Sequence, residues 1–192
     1  LLHVGGQPIL ETIVRNFVGQ GFKQFFISVN YKAEQIKTHF GDGNKFGADI
    51  RYLEESEPLG TAGSLSLLPR KLDKPILVMN SDILTTADFS KLLTFHQDEA
   101  SDATMCVREY DLQVPYGVVK SEGHRFMGVT EKPIQRFFVN AGIYALNPSA
   151  VAAIEAKERL NMTDLFERVR RNTGRTSVYP IREYWLDIGR SE

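Results

Sequence analysis

Apolar residues recur at Ile9, Ile13, Val14, Phe17 and Val18, the spacing of one helix face. The stretch opens near Pro8 and closes at Gly21, which predicts a helix between them. Phe25 to Val29 reads as a strand. Ala33 to Phe40 reads as a short helix, stopped by Gly41-Asp42-Gly43. Ile50 to Leu53 predicts a strand and Thr61 to Leu68 a helix. Pro75-Ile76-Leu77-Val78-Met79 is apolar throughout, as expected of a strand covered on both faces. Asp88 to Gln97 predicts a helix with Phe89, Leu92, Leu93 and His96 on one side. Strand and helix thus alternate, which predicts right-handed crossovers and a mainly parallel sheet.

The pattern then changes. Ala103 to Arg108, Tyr116 to Lys120, Phe126 to Thr130, Val139 to Leu146 and Ser177 to Tyr184 all read as strands. Helices return only at about Pro148 to Ala156 and Thr163 to Arg171. Part of the sheet is therefore expected to be antiparallel, or a small second sheet to exist. Nothing in the chain reads as a linker, a repeat or a low-complexity segment. The expectation is an α/β, Rossmann-like mixed sheet flanked by helices, in a single domain over 1–192. A nucleotide-binding half would run over 1–100 and a sugar-phosphate-binding half over 101–192.

Composition narrows the function classes. The chain has 192 residues, enough for one full-sized core. Lys plus Arg number 23 against 24 Asp plus Glu, and this balance excludes a general nucleic-acid binder. Arg168, Arg170, Arg171 and Arg175 cluster where a predicted helix ends, a favourable place for cations. The single cysteine, Cys106, excludes an internal disulfide framework and sits in a strand pattern typical of a buried thiol. No apolar run approaches the roughly 20 residues of a membrane span. No signal peptide is visible, and a cytoplasmic location is expected.

The candidate chemistry lies where strands end. Leu59-Gly60-Thr61-Ala62-Gly63-Ser64-Leu65 follows a strand pattern and opens a helix. Two glycines there permit close backbone approach, and a helix start has unpaired N–H groups that suit a phosphate or the polar edge of a nucleotide. The same residues also suit a tight packing contact. Asp82 directly follows an apolar strand, the position at which open α/β sheets hold ligands. It is either a Mg²⁺ ligand or a turn aspartate. Asp187, between an aromatic strand and Gly189, has the same two readings. Glu131-Lys132-Pro133 closes another strand, and Pro133 pushes Lys132 toward extended geometry. Lys132 suits a phosphate and Glu131 suits sugar hydroxyls, while an exposed ion-pairing turn is the favoured reading of the segment taken by itself. Tyr116-Gly117 and Asn140-Ala141-Gly142 interrupt apolar strands, as close approach by a ligand or another backbone, or a bulge, would. His3, His39, His96 and His124 have no metal-ligand spacing, and His39 and His96 read as structural or surface residues.

Taken together, these segments resemble the sugar-1-phosphate nucleotidyltransferases, the nucleoside-diphosphate-sugar pyrophosphorylases. Within them the chain most resembles the mannose-1-phosphate guanylyltransferase-like branch. The resemblance runs from Val4-Gly5-Gly6-Gln7-Pro8-Ile9-Leu10-Glu11-Thr12 to Trp185-Leu186-Asp187-Ile188-Gly189-Arg190. Between them it takes in Asn30-Tyr31-Lys32-Ala33-Glu34, Phe40-Gly41-Asp42-Gly43 and Pro58-Leu59-Gly60-Thr61-Ala62-Gly63. It continues through Met79-Asn80-Ser81-Asp82-Ile83-Leu84, Pro115-Tyr116-Gly117-Val118-Val119, Glu131-Lys132-Pro133 and Val139-Asn140-Ala141-Gly142-Ile143-Tyr144.

That resemblance implies transfer of a nucleotidyl group from a nucleoside triphosphate, GTP by the branch, to a sugar 1-phosphate. Pyrophosphate is the second product. Glu55, Leu59, Gly60 and Thr61 would meet the nucleotide. Asp82 and Asp187 would hold Mg²⁺ and, with Lys132, carry catalysis. Tyr116, Gly117, Glu131 and Asn140 would contact the sugar, and Lys132 its phosphate. The implied partners are the two substrates, with neither nucleic acid nor membrane, and a homo-oligomer is compatible with the sequence.

Two departures accompany it. Members of the family open with a strand and a Gly-rich loop ending in Thr-Arg-Leu, followed by Pro-Lys. This chain starts at Leu1-Leu2-His3-Val4 without them, so the domain is expected to be N-terminally incomplete and inactive alone. Gln7-Pro8 also stands where many members have Lys-Pro. The departures favour an alternative, a non-catalytic nucleotide-sugar-binding regulatory domain or inactive paralogue. The retained Asp82, Asp187 and Lys132 argue for the enzyme.

Overall fold

The computed structural model describes residues 3–4, 6–69 and 72–189. Leu1, Leu2, Gly5 and Arg190, which take part in the sequence resemblance or in the chain's opening, lie outside them. The chain order begins with β1 (His3–Val4), β2 (Gln7–Pro8), α1 (Ile9–Gly19), β3 (Gln24–Val29), α2 (Ala33–Phe40) and β4 (Asp49–Glu54). It continues with α3 (Gly60–Gly63), β5 (Ile76–Met79), β6 (Ile83–Thr85), α4 (Phe89–Asp98), β7 (Ala103–Gln113), β8 (Val118–Glu122) and β9 (Arg125–Thr130). It ends with β10 (Ile134–Leu146), α5 (Pro148–Ala152), α6 (Met162–Arg171), β11 (Thr176–Pro180) and β12 (Trp185–Asp187).

A four-stranded sheet runs in the order β11-β7-β10-β5. Its β7–β11 pair is parallel, and its β10–β7 and β10–β5 pairs are antiparallel. β3 and β4 form a separate parallel pair. β6 with β12, and β8 with β9, form small antiparallel pairs. The mixed sheet and the extra small sheets match the switch in pattern seen after the first hundred positions.

α1 is amphipathic in two directions. Ile9, Ile13 and Phe17 enter a core with Ile83, Phe89, Leu92, Ala141, Ile143 and Ala145. Val14 turns instead toward Ile27, Val29, Phe40, Phe46 and Ile50. One helix therefore packs on β3–β4 and on the larger sheet. Phe17 stacks on Phe89 at 3.9 Å between ring centroids. Gln20 donates to the Ala87 carbonyl and accepts from the Phe89 N–H, which fixes the turn that starts α4.

A third core joins Leu53, Ala62, Leu65, Tyr144 and Leu146 to Leu160, Met162 and Leu165. His96 is buried, with Nδ1 2.7 Å from Thr104 Oγ1 and Nε2 3.1 Å from Asn147 Oδ1, a structural role as its sequence position suggested.

Among the expectations that change are those for two strands. β5 is half-buried at all four positions rather than sealed on both faces, because among the described residues it pairs on one side only, with β10. β10 starts at Ile134, well before the predicted Val139. Its early residues Arg136, Phe137 and Phe138 are exposed on both faces, so no alternation announces the strand.

Candidate active site

Asp82 leaves β5 by a short turn, and β6 follows at once. β12 pairs antiparallel with β6, setting Asp187 opposite Ile83. The Ile188 N–H then donates to the Asp82 carbonyl at 2.9 Å, and the Gly189 N–H donates to Asp187 Oδ1 at 2.9 Å. Two acids far apart in the chain are thereby brought together. A methyl built on Gly189 would overlap Asp82 Oδ2 and stand 3.3 Å from Asp187 Oδ1. The two carboxylates therefore stand within about 6 Å of each other across Gly189.

Among the described residues, no group of three or more His, Cys, Asp or Glu side chains is placed to hold a metal. Two carboxylates without a third ligand of this kind suit a hard cation that keeps water and phosphate oxygens in its shell.

Behind this pair, Asn80 and Gly142 pack together. The Asn80 N–H donates to the Gly142 carbonyl, and a Cβ on Gly142 would stand 2.9 Å from Asn80 Nδ2. Gly142 has φ +70° in a bulge between β10 and β7. Asn140 shapes that bulge: Oδ1 accepts from the Gly142 N–H at 2.9 Å and Nδ2 donates to the Tyr144 hydroxyl at 2.8 Å. The bulge reading of Gly142 holds, and what comes close to it is Asn80 of the same chain. The Trp185 indole donates to the Ala141 carbonyl at 2.8 Å, locking β12 against the bulge.

The Leu59–Gly63 turn is built differently from a plain ligand cradle. A Cβ on Gly60, whose φ is +80°, would stand 2.6 Å from the Leu160 carbonyl and 2.9 Å from Asn161 Oδ1. A Cβ on Gly63 would overlap the Glu158 carbonyl. The Ala62 and Gly63 N–H groups both donate to the Leu160 carbonyl, and the Leu160 N–H donates to the Leu59 carbonyl. Thr61 Oγ1 accepts from the Met162 N–H at 2.8 Å, capping α6 from across the fold. Both glycines thus serve a backbone-to-backbone clamp, the packing alternative raised by the sequence.

Glu55 sits beside this turn. Its Oε2 accepts from the Leu59 N–H at 2.8 Å, and its Oε1 accepts from the Ser28 hydroxyl. Asn30 Nδ2 donates to the Glu55 carbonyl at 2.7 Å. Leu59 is buried while Thr61 and Ser28 are exposed, so the turn shows one polar edge to solvent. Sequence reading passed over Ser28 and the segment 158–162. Ser28 carries no local signal, and Asn161 shows only the ordinary signature of a residue before a helix.

Tyr116, Gly117, Glu131 and Lys132 also meet. A Cβ on Gly117 would stand 2.9 Å from Glu131 Oε2, and the Lys132 N–H donates to the Tyr116 carbonyl at 3.3 Å. All four are exposed. Lys132 is not extended, as the following proline suggested, but has φ +44°. It forms the corner between β9 and β10, and that corner requires the left-handed conformation in spite of Pro133.

A family model described as nucleotidyl transferase matches residues 1–192. The chain is 32% identical over 199 residues to a mannose-1-phosphate guanyltransferase of Yarrowia lipolytica, covering 98% of this chain and 54% of that protein. It is 32% identical to the mannose-1-phosphate guanylyltransferase catalytic subunit beta of Drosophila melanogaster, covering 98% of this chain and 53% of that one. The chain thus spans about half the length of these relatives. The structure of HddC from Yersinia pseudotuberculosis complexed with GMP-PN superposes with a TM-score of 0.75, covering 98% of this chain and 83% of the other. At 22% identity that match shows a shared fold.

Proposed function

Since the chain belongs to the nucleotidyl transferase family, we propose that it carries the catalytic centre of a sugar-1-phosphate nucleotidyltransferase. The nucleotide is GTP and the product a GDP-sugar, as the mannose-1-phosphate guanylyltransferases among its relatives suggest. The observation that carries this reading is the approach of Asp82 and Asp187 across Gly189.

The phosphate oxygen of the sugar 1-phosphate attacks the α-phosphorus in line, and pyrophosphate leaves. The nucleophile is already an anion, so positioning and charge neutralisation replace a strong general base. Asp82 and Asp187 would hold Mg²⁺, which when bound supplies positive charge against the triphosphate. Lys132, at the β9–β10 corner, would hold the sugar phosphate as a point charge. Tyr116, Gly117 and Glu131 would line the sugar, with Asn140 oriented by its bulge. Glu55 has bonds from Ser28 and Leu59 and keeps lone pairs for base N–H groups, which guanine offers. Thr61 uses its oxygen toward Met162 and keeps its hydroxyl proton to donate.

A pyrophosphate-release assay on the protein at its full encoded length tests this. GTP, Mg²⁺ and mannose 1-phosphate are expected to give turnover, and Asp82→Asn and Asp187→Asn to lower it by orders of magnitude with the fold intact. No release with any common nucleoside triphosphate and a panel of sugar 1-phosphates would refute the reading.

A further inference from the structure

Glu55 directly follows β4, at the carboxyl end of the parallel β3–β4 pair. Its N–H donates to the Val29 carbonyl at 2.9 Å, and its own carbonyl accepts from Asn30 Nδ2 at 2.7 Å. The backbone of Glu55 is therefore fixed to the end of β3. Its side chain is held from two sides. The Ser28 hydroxyl donates to Oε1, and the Leu59 N–H donates to Oε2 at 2.8 Å. Ser28 comes from β3, where it stands opposite Leu53. Leu59 is anchored in turn, its carbonyl accepting from the Leu160 N–H. Both donors to the carboxylate are neutral. Lys37 pairs with Glu34 and Glu54 instead, and among the described residues no Lys, Arg or His stands within ion-pair distance of Glu55. The result is a half-buried carboxylate, oriented by the chain but not neutralised by it.

A carboxylate only accepts, with about four lone-pair sites on its two oxygens. Ser28 and Leu59 take one on each oxygen, which fixes the carboxylate plane and leaves one acceptor site on each. Two acceptors side by side match two donors side by side. Guanine carries such a pair, N1–H and the 2-amino group. Adenine sets its amino donor beside a ring nitrogen that has only a lone pair, and a fixed carboxylate repels that lone pair. A carboxylate tied at Leu59 alone is free to turn, meeting guanine with one oxygen and accepting from the adenine amino group with equal ease. We propose that Ser28 is the positioning residue that makes Glu55 select guanine over adenine. This rests on the base-binding role given to Glu55 above. Ser28 acts through the carboxylate, without touching the nucleotide.

Calorimetric titration of the protein at its full encoded length with GTP, inosine triphosphate and ATP, each with Mg²⁺, tests this. Inosine triphosphate keeps N1–H and lacks the 2-amino group. The wild type is expected to bind GTP about tenfold more tightly than inosine triphosphate, and ATP more weakly still. Ser28→Ala is expected to weaken GTP binding about tenfold and to leave ATP binding within about twofold, so that the preference collapses. Ser28→Thr keeps the hydroxyl on an exposed strand position and is expected to restore the preference. Melting temperatures of both variants are expected to stay near that of the wild type. A Ser28→Ala protein that binds all three nucleotides equally less well would show a merely structural role and overturn the proposal. So would one that binds them all as before, or a wild type that does not prefer GTP to ATP. Pyrophosphate release is a separate readout. Serine-dependent preference for GTP without release would sink the catalytic reading and leave this one standing, and release with no preference for GTP would do the reverse.

Discussion

The hydroxyl oxygen of Thr61 accepts a hydrogen bond from the Met162 N–H at 2.8 Å, although the two residues are 101 positions apart. A side chain from the first half of the chain thus caps a helix of the second half. Asn161, the residue that would ordinarily do so, makes no side-chain capping bond. Thr61→Val is expected to remove about 1 kcal/mol, the usual worth of a cap. Gly60→Ala is expected to cost more, because it adds strain at φ +80° and a contact at 2.6 Å with the Leu160 carbonyl. Urea unfolding of both variants checks the order, and equal midpoints for wild type and Gly60→Ala would contradict the clamp.

Gly189 lies between the acidic pair, so Gly189→Ala pushes a methyl against Asp82. The expected outcome is a raised Mg²⁺ requirement for turnover, several-fold or more, with little change in melting temperature. A metal titration of initial rates reads this. An unchanged Mg²⁺ dependence would mean that the carboxylates act independently.

The Arg168 guanidinium beside Glu158 holds that carboxyl down at about 2, against an ordinary 4.5. Because the folded value is the lower one, the pair stabilises the fold fully above 4.5 and loses that contribution as pH falls toward about 2. Glu158 also supplies the carbonyl against which Gly63 packs. Glu158→Gln is therefore expected to flatten the stability loss in that acid window while lowering stability at neutral pH. Parallel denaturant titrations at pH values spanning the window check both signs.

Burial pushes the Cys106 thiol up to about 12. A thiol so far from its thiolate is a poor nucleophile. Ellman's reagent at mildly alkaline pH is expected to leave it unreacted in native protein and to titrate one thiol per chain once the protein is unfolded. Fast labelling of the native form would place Cys106 on an open surface.

The helical and strand periods of α1, β3, α2, β4 and α4 were legible because each buries one face, and burial writes a period into sequence. β10 was partly hidden, since Phe137 and Phe138 are both exposed and break the alternation. The left-handed turn at Lys132 was hidden too, because a proline next in sequence argues for extended backbone while the β9–β10 corner requires otherwise. Asp82 and Asp187 were visible as strand-end acids, but that they stand side by side was decided by the β6–β12 pairing. The glycines of the Leu59–Gly63 turn were visible as points of close approach. What approaches them, the backbone of residues 158–161, was not.

The order of residues alone determined which segments coil, which extend, and where small and acidic residues interrupt them, since these depend on neighbours a few positions away. The tertiary structure alone decided that distant acids meet, that Thr61 caps a helix from across the fold, and that a glycine faces a carbonyl. Those outcomes depend on contacts between positions about a hundred apart, and no local period records such a contact.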